Sequence, residues 1–384
     1  MKVILETVTP LFLGGADPRG EPELRAASIR GALRFWLRAL LGGVIGDRDL
    51  DALRKAESAV FGSTDAGASP VLVRIRNLSG GAPTPFSAIA SGRQGLTYLF
   101  FAAMGTQNKP ERKAIPAGSS FELELRPRAG AQDRNTLPKV YAALWLLTHL
   151  GGLGARSRRG AGSLQVTRVQ GDAPNSALPS LEIRASAPEQ LQTELQEGLS
   201  KLRKSVGESA SVDCPSRFDV LHPNACKIWV VGKVFSSWRE ALDAIGQRMQ
   251  QFRNRREPDY QNVKNAVQGQ RLTQPVERAA FGLPIVFYYR SLKGAKETLV
   301  LEGKRHNRRA SPLLIHVTRL SNRKYALVLT FFQAQLLEEG EKLKLKLKRQ
   351  GVSECVSTPD LSLIDDFIQE VRRNIGPCLE VTGW

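Results

Sequence analysis

Across the first 170 residues the apolar side chains change period in a fixed order, and few folds accept that order. Residues 2 to 8 alternate apolar and polar, as a strand does. SIRGALRFWLRAL, residues 28 to 40, then sets Ile29, Ala32, Leu33, Trp36, Leu37 and Leu40 at helical spacing, with Ser28 placed to cap the first turn. A short helix near 50 to 60, strands at 70 to 77 and 119 to 126, an apolar helix at 136 to 150 and a strand ending near Val169 follow, and 78 to 118 has the look of an insertion. Strand, helix, strand, strand, helix, strand is the ferredoxin-like order, common among RNA-recognition domains whose antiparallel sheet offers one face to ligands.

A polar, proline-containing stretch at 170 to 188 marks a boundary, and a helix near 189 to 204 follows it. The second half offers strands at 226 to 234, 284 to 290, 312 to 320 and 324 to 333, with helices at 236 to 253 and 360 to 374. The expected fold is therefore α+β: two ferredoxin-like (RRM-like) domains with insertions, spanning 1–170 and 211–384, joined by a linker and helix at 171–210.

Charge points to the partner. Fifty-five Lys and Arg against 37 Asp and Glu give a formal net charge of +18, which suits a polyanion, nucleic acid first among them. With 42% hydrophobic residues, the chain is not disordered as a whole. Cys214, Cys226, Cys355 and Cys378 form no CxxC pair and show no metal-ligand spacing with the histidines, so neither a zinc site nor any cofactor is expected. MKVILETVTPLFLGG has neither the basic start nor the long apolar run of a signal peptide, which favours the cytoplasm.

Two basic features carry the candidate binding site. Arg30, Arg34 and Arg38 recur four residues apart and form one stripe beside the apolar face of their helix. In GGLGARSRRGAGSL, Gly152, Gly154, Gly160 and Gly162 admit backbone shapes that let amides approach a phosphate, while Arg156, Arg158 and Arg159 add charged donors. The GKS or GKT ending of a Walker loop is missing. Arg253, Arg255 and Arg256, and further on Arg308 and Arg309, lie in two later basic clusters that suit an RNA backbone; Phe252, Tyr260 and Phe281 are interleaved as stacking or core aromatics. The EKLKLKLKRQ run at 341 to 350 alternates like a solvated edge strand.

Catalytic candidates are few. Asp17, in the loop after the first strand, is either a turn former or an acid that helps a metal or water attack RNA. His149, His222, His306 and His316 show no paired or triad spacing, so an RNA endonuclease using Asp17, His149 or His222 is the alternative to a binding module, and a structural subunit facing acidic protein neighbours is a third.

TPLFLGGADPRGEPELRAASIRGALRFWLRAL, GLGARSRRGAGSL, FGLPIVFYYR and RRASPLLIHV together resemble the RAMP superfamily, and most of all the first Cmr subunits of type III-B CRISPR effectors. The resemblance implies two ferredoxin-like domains and a non-catalytic RNA-binding role. It also implies CRISPR RNA, target RNA and other Cmr subunits as partners. The family's basic helix falls on Arg30, Arg34 and Arg38, and its glycine-rich loop on Gly152 through Gly162; Leu37 stands where the family commonly has a second tryptophan.

Overall fold

The computed structural model describes residues 1–129, 136–171, 173–254, 256–270, 272, 274–287, 299–303, 305–346 and 353–384. Arg255 lies outside them, as do the ends of the strand expected at 284 to 290 and of the lysine run.

The first unit runs β1 (Lys2–Thr7), α1 (Ala26–Ile45), α2 (Leu50–Phe61), β2 (Val71–Ser79), β3 (Thr84–Pro85), α3 (Phe86–Ala90), α4 (Gln94–Phe100), β4 (Lys113–Ala114), β5 (Ser120–Pro127), α5 (Thr136–His149) and β6 (Leu164–Gln170). Its sheet has the order β2-β5-β1-β6, all antiparallel, which is the ferredoxin-like topology. Alternation decides its faces: Val3 and Leu5 of β1 and Phe121, Leu123 and Leu125 of β5 are buried in the same core as α1 and α5. The other face carries the ion pairs Lys2–Glu122 and Arg76–Glu124.

After α6 (Pro188–Val206), the second unit runs β7 (Cys226–Val231), α7 (Trp238–Asn254), α8 (Asp259–Val267), β8 (Ile285–Phe287), β9 (Leu299–Gly303), β10 (Leu313–Arg319), β11 (Tyr325–Phe332), β12 (Leu343–Lys346), β13 (Ser353–Val356), α9 (Ser362–Asn374) and β14 (Cys378–Glu380). Its main sheet has the order β10-β11-β7-β14, again ferredoxin-like, and two insertions build a separate sheet, β13-β12-β9-β8. Among the described residues, no helix is long and apolar enough to cross a membrane.

The second sheet departs from the expectation of an open face. Trp229, Leu313, Ile315, Leu327 and Leu329 pack with α7 and α9 on one side, while Ile228, Val230, Leu314, Val328 and Phe332 join the core of the first unit on the other. The period-two pattern is lost because both faces are buried, and a ligand has no sheet surface to lie on there. Two local readings also change. Helix α1 begins at Ala26 with Arg25 as its cap residue, which puts Ser28 inside the first turn, where it caps nothing. The lysine run is an interior strand: β12 pairs with β9 on one side and β13 on the other, burying Leu343 and Leu345.

The insertion between β2 and β5 joins the two units. Helix α4 crosses α7 where Gly95 meets Gly246, and a Cβ on either would overlap backbone of the other helix. The Gly95 amide donates to Asp243 Oδ1 at 2.8 Å. Replacing Gly246 by Ala should therefore cost about 1–3 kcal/mol through overpacking; a chemical-denaturation midpoint equal to that of the parent chain would contradict this account of the crossing.

Candidate nucleic-acid interface

Three neighbouring chambers that share lining residues follow the seam between the units. The largest, about 1000 Å³, is lined by Arg34, Arg38 and Arg54 on one side and by Arg217, Arg308 and Arg309 on the other, with Glu57, Glu338, Glu339 and Glu341 also in its walls. Arg309 also lines a second chamber of about 670 Å³, together with Arg156, Arg158, Arg159 and Arg253. Ser157 and Arg158 connect this to a third, about 360 Å³, bounded by Phe35, Trp36, Gly152 and Gly154. The arginine helix and the glycine loop thus converge on a groove between the units and not on a sheet face.

Helix periodicity accounts for one wall. Ile29, Leu33, Trp36, Leu37 and Leu40 are buried, which leaves Arg34 and Arg38 facing α2. There Glu57, only 4% exposed, accepts from Arg34 Nε at 2.7 Å and from Arg38 Nε at 2.6 Å. One buried carboxylate holds two guanidiniums at the rim. Arg30 lines none of the three chambers, and its Nε is buried without an acceptor among the described residues.

The glycine loop forms the centre, and its glycines are required by close packing. Gly154 has φ +83° and Gly162 φ +63°, and a Cβ on either would overlap a carbonyl oxygen, that of Phe12 or of Leu153. Ala155 donates to Phe12 O at 2.8 Å and Gly162 to Pro10 O at 2.9 Å, tying the loop to the segment after β1. A Cβ on Gly160 would overlap Leu242 of α7. Among the described residues, the amides of Gly152 and Gly154 meet no acceptor, and both residues line the third chamber.

Arg158 and Arg159 of the loop reach across the seam to protein acceptors, while Arg156 stays within the first unit. Arg158 donates to Ser311 O and to Asp219 Oδ2, each at 2.6 Å, and lies over the Phe35 ring at 5.1 Å. Arg309 donates to Asp219 Oδ1 at 2.9 Å. Arg156 bonds the Leu99 carbonyl, and Arg159 bonds Phe281 O at 3.0 Å and Met249 Sδ at 3.2 Å. Burial lowers Arg159 to about 9 and Arg156 to about 10, with neighbouring guanidiniums adding to the effect; both stay charged at neutral pH. For Asp219, burial alone would push the carboxyl up, but Arg158 and Arg309 together hold it below the ordinary range.

The remaining candidates divide. Arg253 donates to the Tyr98 hydroxyl at 2.6 Å and lines the second chamber, and Arg308 is exposed in the first. Arg256 turns away to Glu277 and Asp366, at 2.6 and 3.2 Å. Phe252 and Phe281 pack edge to face, with ring centroids 6.2 Å apart, as core aromatics. Asp17 accepts from the Arg19 amide at 2.8 Å, as a turn former does. His149 is buried against Trp145 with ring centroids 4.0 Å apart, and burial pushes it down to about 3; His222 is buried as well. His306, Glu338 and Glu341 bring their ligand atoms together at the rim, but Glu341 already accepts from the His306 and Arg305 amides. Sequence reasoning missed Glu57 and Asp219, the acids that fix the arginines, and Arg54, Arg217 and Arg278, which complete the walls.

The comparisons agree with this architecture. The family model described as the RAMP superfamily matches residues 4–165. The Cmr subunit Cmr1-2 of Pyrococcus furiosus is 35% identical over 183 residues, 43% of this chain and 94% of that protein. The chain belongs to the Cmr1 family of RAMP proteins. Cmr1-1 of the same organism is 26% identical to this family member over 339 residues, 86% of each chain. Its fold matches the apo crystal structure of Pyrococcus furiosus Cmr1 with TM-score 0.65 and 22% identity, over 100% of this chain and 99% of that one. It also matches a chain of a type III-B Cmr-beta complex, solved by cryo-EM with cognate target RNA and AMPPnP, with TM-score 0.58 and 13% identity over 97% and 98%.

Removing the shared acid should expose its role. Asp219→Asn leaves two guanidiniums without a counter-charge and should cost about 3–5 kcal/mol. Because the folded carboxyl sits below its unfolded value, the stabilisation is present at neutral pH and disappears only as pH falls through the folded value. Thermal melts of the parent and Asp219→Asn should therefore differ most near neutrality and converge in acid; a gap that widens in acid would reverse the assignment.

Proposed function

We propose that this chain is the RNA-holding Cmr1 subunit of a cytoplasmic type III-B Cmr effector, gripping CRISPR RNA or its target by the sugar-phosphate backbone along the groove between its two units. The observation that carries the reading is a pair of neighbouring arginine-lined chambers that share Arg309, in a chain of net charge +18. Phosphates are met there by Arg34, Arg38, Arg158, Arg308 and Arg309 of the sequence-derived set, with Arg54 and Arg217 added from the structure, and by the amides of Gly152 and Gly154. Similarity to proteins named as Cmr subunits, and a fold shared with chains of complexes bound to cognate target RNA, support the same role. Contacts of this kind read charge and shape, so sequence preference is weak.

Arg217 and Arg308 are the cleanest probes, because both are exposed and neither side chain has a carboxylate partner among the described residues. In filter binding, the double change to Ala should leave the melting temperature in place, weaken single-stranded RNA binding and flatten the log-log salt slope by about 1.4, or roughly 0.7 per phosphate lost. An unchanged affinity and slope would remove the groove from RNA binding.

A further inference from the structure

The second chamber differs from the rest of the groove in its charge balance. Arg158 and Arg309 share Asp219, and Arg278 pairs with Asp259 at 3.2 Å. No carboxylate among the described residues pairs with Arg156, Arg159 or Arg253, which line the same chamber. Their donors meet neutral groups: the Leu99 and Phe281 carbonyls, Met249 Sδ and the Tyr98 hydroxyl. Neutral acceptors satisfy N–H groups but leave the charge uncancelled. The guanidiniums are also crowded, since Arg159 and Arg253 lie over one ring, 6.0 and 5.5 Å from the Phe281 centroid. Arg253 Nε and Arg278 Nη2 are buried and meet no acceptor among the described residues. Arginine does not shed its proton near neutrality, so no described residue of the chain supplies the balancing charge, and an anionic ligand suits the chamber.

The chamber wall also carries aromatic surface. Phe101 is 53% exposed, with the Arg156 guanidinium 5.3 Å from its centroid, and Tyr98 lies beside it. A volume of about 670 Å³ is in the range of small-ligand sites. We propose that this chamber receives one nucleotide bearing a phosphomonoester, its phosphate among Arg156, Arg159 and Arg253 and its base against Phe101. A monoester carries about −1.5 to −2 near neutral pH, against a single charge for a backbone diester, so it is the better match to three uncompensated cations. The end of an RNA strand and a free nucleotide supply the same chemistry; the strand-end source deepens the RNA-holding reading above and rests on it.

The test uses the full chain and one short RNA prepared with a 3′-phosphate, with a 5′-phosphate and with hydroxyls at both ends, and adenosine monophosphate as a separate ligand. A strand end is supported if one phosphorylated strand binds about tenfold more tightly than the hydroxyl-ended one, the gain of a charge-assisted hydrogen bond. Arg253→Gln should abolish that advantage, as should Phe101→Ala, an exposed position that keeps the fold if Arg253→Gln does not. Free-nucleotide binding that both changes weaken, with all strands bound equally, assigns the chamber to a free nucleotide. Equal binding of all strands with no nucleotide binding overturns the chamber and leaves RNA holding intact. Loss of every strand, with nucleotide binding retained, removes RNA holding and keeps the chamber.

Discussion

Crowded like charge is the constraint on which the rest of this structure depends. Arginines from α1, the glycine loop and the segment before β10 converge at the seam, and around buried Arg159 solvent screening is weak and repulsion correspondingly strong. Two buried carboxylates make the arrangement tolerable. Glu57 fixes Arg34 and Arg38 within the first unit, and Asp219 fixes Arg158 of the first unit to Arg309 of the second. The second of these is also a joint, since it closes only when both units are folded and docked. The charge left over in the middle chamber is what an anionic ligand would meet.

Burying both faces of the second sheet leaves the seam, not that sheet, as the surface open to a ligand. An RRM-like domain working alone exposes one sheet face to its ligand. Here Ile228, Val230, Leu314 and Val328 spend that face on the first unit, and the first sheet's open face is occupied by paired charges. What remains is the groove at the junction, whose walls come from loops and helix sides. Its shape is therefore set by docking, and the Gly95–Gly246 crossing that brings Tyr98 toward Arg253 belongs to the site as much as to the core.

What was legible in the sequence was whatever depended on local period. The apolar stripe of α1 and the alternation of β1 and β5 name their elements without outside help, and the element order then gives the ferredoxin-like topology. Pairing over long separations was not legible. Asp219 lies 61 residues from Arg158 and 90 from Arg309, and nothing in RFDVLHP distinguishes it from a surface acid. The lysine run was read correctly as a strand but wrongly as an edge, because its partners, β9 and β13, come from segments on either side of it. The basic stripe was visible as a stripe, but Glu57, which answers it, belongs to the next helix.

The glycine loop shows why motif reading alone leaves its role open. Glycines beside arginines suggest a supple phosphate cradle, yet Gly154 and Gly162 are small because Phe12 and Leu153 carbonyls crowd them, and Gly160 takes a φ of +84° that side chains rarely adopt. Such a loop is stiff, and stiffness is useful in holding a strand, because amides and guanidiniums already in place lose little freedom on binding. Packing and the proposed binding therefore ask for the same residues here. The amides of Gly152 and Gly154, which meet no acceptor among the described residues, belong to a loop that Ala155 and Gly162 hold to the segment after β1.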